Sequence, residues 1–275
     1  DKKQILLLLP RGTFKSSIVT VGYSIYRIVN NPQSRIFIGN ATHPMATQFL
    51  SQIKGQFQKN EELKRIYGDL AQDADSWRED KIYVSREKSY EQKDPTVWAS
   101  GVGGNMTGSH FEVAILDDVV ARDNIGTAEQ IEKIKNFYRD ALDLVDPMPS
   151  GHKRVIIIGT CWHWDDLYAW IQENPDISRD FAIMRLPAYT GEFGKGELLF
   201  PNRLNWEVLE GLRRKQGNFH FSAQYMLDPI PDEDQVFKGS FKNYEMTDLR
   251  GVELRKFVTV DPALSEKKES DYSAM

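Results

Sequence analysis

Residues 5–17, Ile-Leu-Leu-Leu-Leu-Pro-Arg-Gly-Thr-Phe-Lys-Ser-Ser, run from five apolar residues through a turn into Lys15-Ser16. A buried strand ending in such a turn directs backbone N–H groups at a polyphosphate. The lysine ammonium then reaches the β/γ-phosphates and the Ser16 hydroxyl can hold Mg²⁺. A helix starting near Ser16 adds its positive dipole end. Arg11, Gly12, Thr13, Phe14, Lys15, Ser16 and Ser17 are therefore the candidate nucleotide-binding set. Against the pattern G-x-x-x-x-G-K-[ST], both glycine positions differ, being Leu9 and Phe14. Alone, the segment reads equally as a buried strand, a turn and a helix N-cap.

The 275 residues suffice for one large or two modest domains. With 35 basic against 40 acidic side chains, the net charge of −5 argues against a uniformly basic nucleic-acid coat, though not against a local basic groove. A single cysteine, Cys161, excludes an internal disulfide framework and a cysteine-rich zinc site, as expected of a reducing compartment. Ile5–Leu9 is far shorter than the roughly 20 apolar residues of a membrane span, and no signal peptide is visible. The chain opens on Asp1 at a core strand and stops at Met275 in mid-pattern, which reads as a piece of a longer protein.

Short apolar runs alternate with helical patterns. Ile5–Leu9, Arg35–Gly39, Thr96–Ser100, Val113–Asp117, Lys153–Gly159 and Phe181–Leu186 read as strands, several unbroken enough to be buried on both faces. Ala46, Phe49, Leu50, Ile53 and Phe57 recur at helical spacing, as do Ile131, Ile134, Tyr138, Ala141, Leu142 and Val145. The alternation predicts βαβ crossovers and a mostly parallel sheet. Asn205–Gly217 reads as a further helix ended by glycine. The proline- and acid-rich stretch Asp228–Gly239 reads as a connector, followed by a strand Lys256–Val260 that ends on Asp261.

Val113-Ala-Ile-Leu-Asp117-Asp118 is a hydrophobic strand ending in two carboxylates. In a phosphate-loop ATPase, Asp117 would hold Mg²⁺ through water and the next carboxylate would polarise the attacking water. Asp118 stands where Glu is usual, one methylene shorter. The plainer alternative is a strand followed by a solvated acidic turn. Val155-Ile-Ile-Ile-Gly-Thr160 places a hydroxyl at the carboxyl edge of the sheet, where ligands bind in open α/β folds. Thr160 would there sense the γ-phosphate, or simply cap the next turn. His163 with Asp165 and Asp166 reads as a capped helix start rather than a metal site, because no second histidine stands at ligand spacing.

Together Pro10–Ser17, Thr107–Asp118, Gly159–Leu167, Leu199–Pro229 and Val258–Ser273 resemble the large terminase subunit of tailed bacteriophages, the ATP-driven motor that packages DNA into procapsids. The order and spacing of the motifs and the segment Phe221-Ser-Ala-Gln-Tyr-Met-Leu-Asp-Pro carry the likeness. It implies that Arg11, four positions before Lys15, contacts the γ-phosphate in cis, a task suited to a guanidinium. It also makes Gly159-Thr160-Cys161 the ATPase coupling motif. The chain departs from the family at His110 and Cys161, where relatives often carry arginine, and at Phe14. A trans-acting arginine would then be another, such as Arg122 or Arg139.

Val258-Thr-Val-Asp261-Pro-Ala-Leu, with Ser270-Asp271-Tyr-Ser, resembles the opening of the terminase nuclease domain, an RNase H-like fold using two metal ions. Asp261 and, more weakly, Asp271 would be Mg²⁺ or Mn²⁺ ligands. Further carboxylates lie outside the chain, so this piece is expected not to cut. For DNA contact, Arg78, Lys81, Arg86, Lys88 and Lys93 interleave with Trp77, Tyr83 and Tyr90, and Arg213-Arg214-Lys215 is compact. Solvated faces are the alternative for both.

These readings predict an α/β ATPase core with a mostly parallel sheet of the ASCE type over residues 1–190. A helical linker or lid region and connector would occupy 191–240, and the start of an RNase H-like domain 241–275. The resemblance implies ATP and Mg²⁺ as ligands, and dsDNA, portal protein, procapsid and small terminase subunit as partners. It further implies a homo-oligomeric ring on the portal, no membrane, and the cytoplasm of an infected bacterium. The rivals are a helicase-type nucleic-acid translocase and a nucleotide-gated DNA-binding module with little turnover.

Overall fold

A computed structural model describes residues 4–72, 76–85, 93–104, 106, 108–145 and 154–229. By its packing the chain divides at Asp232/Glu233 into two units, and the second, with Asp261 and Asp271, lies outside the described residues. So do Arg86, Lys88 and Tyr90.

The chain begins with β1 (Gln4–Leu8), followed by a stretch of π-helix (Ser17–Gly22) that runs into α1 (Tyr23–Asn30). Then come β2 (Ile36–Asn40), α2 (His43–Lys59), α3 (Glu61–Tyr67), β3 (Ser76–Trp77), β4 (Lys81–Tyr83), β5 (Val97–Gly101) and β6 (Val113–Asp117). The remainder is α4 (Ala128–Leu144), β7 (Arg154–Gly159), α5 (Leu167–Glu173), α6 (Pro175–Ser178), β8 (Phe181–Arg185), β9 (Tyr189–Thr190), β10 (Glu197–Leu198) and α7 (Trp206–Phe221). Six of the expected strands, from Ile5–Leu9 to Phe181–Leu186, form within a residue or two of their predicted bounds, and the seventh, Lys256–Val260, lies outside the described residues. The helix predicted over Asn205–Gly217 continues to Phe221, with a kink at Gly217 where φ is +79°.

Eight strands share one sheet in the order β3-β4-β5-β2-β6-β7-β1-β8. From β5 to β8 all neighbours are parallel, and the short β3–β4 hairpin adds an antiparallel edge. The central strands are unbroken apolar runs because helices cover both faces. Phe37, Ala114, Leu116, Val155 and Ile157 pack with Ile134, Phe137 and Tyr138 of α4 and with Leu167 and Ile171 of α5. Ile36, Ile38, Val113, Ile115, Ile156 and Ile158 pack on the other face with Ile28 of α1 and with Leu50, Ile53 and Phe57 of α2. A small separate core joins Ala188, Leu204, Leu209, Phe221 and Tyr225. Among the described residues no helix is long and apolar enough to cross a membrane.

The strand order positions the site. β7 lies between β1 and β6, with Leu8 opposite Gly159 and Asp117 opposite Ile158. The loop after β1, the acidic end of β6 and the Gly-Thr end of β7 therefore emerge side by side at one sheet edge.

Candidate nucleotide site

Lys15 is buried, and its Nζ lies 3.0 Å from Asp118 Oδ2. Ser16 Oγ donates to Asp117 Oδ1 at 3.0 Å. Residues 101 positions apart thus meet, as the sequence pattern anticipates. Asp117 is fully buried, and its other oxygen accepts from Thr20 Oγ1 at 2.5 Å. Asn40 at the end of β2 donates to the Asp117 carbonyl at 2.6 Å. Burial, and then the neighbouring Asp118 charge, push the Asp117 carboxyl up to about 7 against the pull of the two hydroxyls and Lys15.

Thr160 links the two halves of the site. Its backbone N–H donates to Asp118 Oδ1 at 3.2 Å and its hydroxyl to the Leu9 carbonyl at 3.0 Å, at the root of the loop. Gly159 precedes it because a Cβ there would overlap the hydroxyl of fully buried Tyr168. Asp118 itself takes a left-handed conformation with φ of 46°, which turns its side chain back to the lysine.

In the loop, Gly12 sits at φ +81°, where glycine is free of strain. Thr13 Oγ1 closes the turn by donating to the Pro10 carbonyl at 2.8 Å. Phe14 adopts φ of 60°, the conformation a glycine would supply. Its ring remains exposed, edge-on to Phe200 at 6.2 Å between centroids. Ser17 opens the π-helix and is exposed. Arg11 is also exposed, and its guanidinium lies 5.3 Å over the Trp162 ring.

The other sequence candidates fall outside this cluster. Asp166 caps α5, accepting from Tyr168 N at 2.8 Å and Ala169 N at 3.1 Å, which is the helix-start reading of the His163 segment. Among the described residues no group of three or more His, Cys, Asp or Glu is placed to hold a metal. Arg139 bonds Glu132 and Asn136, both at 2.6 Å, on the surface of α4. Of the basic stretch, Lys81 lies 4.0 Å over Trp98 and Lys93 donates to the Gly108 carbonyl at 3.5 Å.

Three polar residues of the site have no role in the sequence reading. Thr20 follows Ser16 by four, a helical spacing that puts both hydroxyls on one face. Asn40 ends an apolar strand in register with Asp117. Gln224 ties two loops together: its Nε2 donates to the Cys161 carbonyl at 2.8 Å, and its own carbonyl accepts from Arg11 N at 3.4 Å. Gln224 stands in the Phe221–Pro229 segment that carries the likeness, but its partners lie in distant parts of the chain and give it no role from the sequence.

No family model matches the sequence. The large terminase subunit of Enterobacteria phage T3 is 25% identical over 257 residues, a stretch covering 83% of this chain and 41% of that relative. Two structures of the large terminase ATPase domain of Thermus phage P74-26, one of them a mutant, superpose with TM-scores of 0.53 and 0.50. Their identities are 15% and 16%, over 83% of this chain and 90% and 89% of theirs. The fold is that of a large terminase ATPase domain. The sequence resemblance is likewise to a large terminase subunit, of which the chain spans 41% of the length.

Proposed function

We propose that this chain is the ATP-hydrolysing part of a viral DNA-packaging motor that drives dsDNA through a portal into a procapsid. The observation that carries the reading is the convergence of Lys15, Ser16, Asp117, Asp118 and Thr160 at one sheet edge. Mg²⁺ fits the residues present. Ser16 and Asp117 offer hard oxygen ligands, and Asp117 is a buried carboxylate with no cation within ion-pair distance among the described residues. Bound there, the ion would neutralise charge on the β- and γ-phosphate oxygens.

The chain's own residues supply the rest. Lys15 leaves Asp118 to meet the polyphosphate, and Asp118, so released, orients water for attack in line with the leaving oxygen. Arg11 moves from Trp162 to the γ-phosphate. Thr160, bonded to both Asp118 and Leu9, passes a change at the acidic end to the loop. The decisive variant is Lys15→Ala, expected to fold and to lose ATP hydrolysis. Turnover within a few-fold of the parent would refute the phosphate-loop assignment. The Lys15–Asp118 pair and the left-handed Phe14 favour one alternative, a nucleotide-gated DNA-binding module, which steady ATP turnover excludes.

Work on dsDNA, a ring on the portal, the small subunit and the host cytoplasm follow from the same reading. A nuclease part holding Mg²⁺ or Mn²⁺ at Asp261 and Asp271 belongs to it too. It is tested by plasmid nicking with a longer chain and its Asp261→Ala variant.

A further inference from the structure

The phosphate loop is flanked by two guanidiniums, and the resemblance gives a role to only one of them, Arg11. The second is Arg203. It lies 4.4 Å over the Phe14 ring, and its Nε would sit 3.6 Å from a Cβ on Gly12. It therefore covers the stretch of backbone between the loop's two left-handed residues. Its position is built by its neighbours. Arg203 N and Leu204 N both donate to the Phe200 carbonyl, at 3.0 and 2.8 Å. The adjoining Leu204 is buried in the small core with Ala188, Leu209, Phe221 and Tyr225.

Charge gives this placement its meaning. Lys15 is neutralised by Asp118, and Arg185 by Asp228. Arg11 and Arg203 form no ion pair among the described residues, and each rests on an aromatic face beside the loop. A guanidinium on a ring keeps its five donors available, and it can turn to a phosphate without abandoning a carboxylate. Phe14, in the place of a glycine, supplies the platform.

We propose that Arg203 is a second arginine of the nucleotide site, delivered by the segment before α7 to the terminal phosphates of bound ATP. The inference deepens the ATPase reading and rests on it. It also gives the turn Phe200–Leu204 a stake in nucleotide occupancy, because Arg203 is held from that side and the ligand from the other.

The test measures the affinity of the full 275-residue chain for a non-hydrolysable ATP analogue and for ADP, both with Mg²⁺. The variants are Lys15→Ala, Arg203→Ala, Arg203→Lys and Phe14→Leu. Arg203→Ala should weaken the triphosphate at least tenfold and ADP less, because the triphosphate presents the additional charge. Arg203→Lys should recover only part of the loss, since an ammonium lacks the fork. Phe14→Leu, which removes the ring and leaves the guanidinium, should weaken the triphosphate less than Arg203→Ala. A loss below twofold in Arg203→Ala, an equal loss for both nucleotides, or an effect of Phe14→Leu matching that of Arg203→Ala would overturn the proposal. Those results would leave the ATPase reading standing provided that the parent binds both nucleotides and Lys15→Ala binds them more weakly. A parent that binds neither nucleotide, or a Lys15→Ala that binds both normally, refutes the ATPase reading itself.

Discussion

The end of β6 and the loop after β1 face each other across the candidate site, and they are built in opposite ways. Asp117 is buried, with both carboxylate oxygens and its carbonyl accepting hydrogen bonds. The loop is hydrogen-bonded at its root and its turn, but it is open to solvent at Arg11, Gly12 and Phe14, carries a phenylalanine in a glycine conformation, and its exposed side chains rest on ring contacts. Hydrogen bonds to a buried group fix an atom in place. Ring contacts at a surface let a loop shift at small cost. On the proposed reading the carboxylate end would stand formed before nucleotide arrives, and the phosphate end would complete itself around the ligand, beginning with the exchange of Asp118 for phosphate at Lys15.

The sharpest way to break this contrast is to separate the two carboxylates. Asp118→Asn should leave Mg²⁺-nucleotide binding within a few-fold and cut the hydrolysis rate by at least about 100-fold. Asp117→Ala should instead weaken Mg²⁺-nucleotide binding by more than about tenfold. Equal loss of affinity in both would mean that the end of β6 is one acidic patch with no division of tasks.

A second effect comes from the burial of Asp117 with no cation at ion-pair distance among the described residues. A carboxyl raised to about 7 in the folded chain favours folding while it is protonated. That contribution is complete below the ordinary carboxylate range and is lost as pH rises through about 7. With metal chelated, the parent should lose stability between pH 5 and pH 8 relative to Asp117→Asn, by on the order of 2–4 kcal/mol. Urea unfolding of both proteins across that range measures it. Parallel pH profiles would show that the folded site already compensates the charge.

The same contrast explains what could be read from the chain and what could not. β1, β6 and β7 were legible because strands covered on both faces are apolar throughout, and their chemistry sits at the residue where the run stops. Lys15, Ser16, Asp117, Asp118 and Thr160 follow from those endpoints. Thr20 and Asn40 were half-legible, one by helical spacing and the other by register. Gln224 and Arg203 were not. Each reaches the loop from the region around α7, through contacts that leave no period or local pattern. Arg203 shows its part only beside Phe14, which in the sequence is just a missing glycine.

The smallest expected effect probes the strain in the loop. A non-glycine residue at positive φ costs about 1–2 kcal/mol. Against this, the edge contact with Phe200 returns roughly 0.5–1.5 kcal/mol and the Arg203 stack about 0.5–1 kcal/mol. The two sides nearly cancel, so the phenylalanine is tolerated without being a source of stability. Phe14→Ala keeps the backbone strain and discards the ring, and should destabilise the chain by about 1–2 kcal/mol. Phe14→Gly discards both and gains freedom in the unfolded chain, so it should fall within about 1 kcal/mol of the parent. Thermal or urea unfolding of the three proteins separates the terms. If Phe14→Gly is as unstable as Phe14→Ala, the left-handed conformation carries no strain, and the loop is as settled as the acidic end of β6.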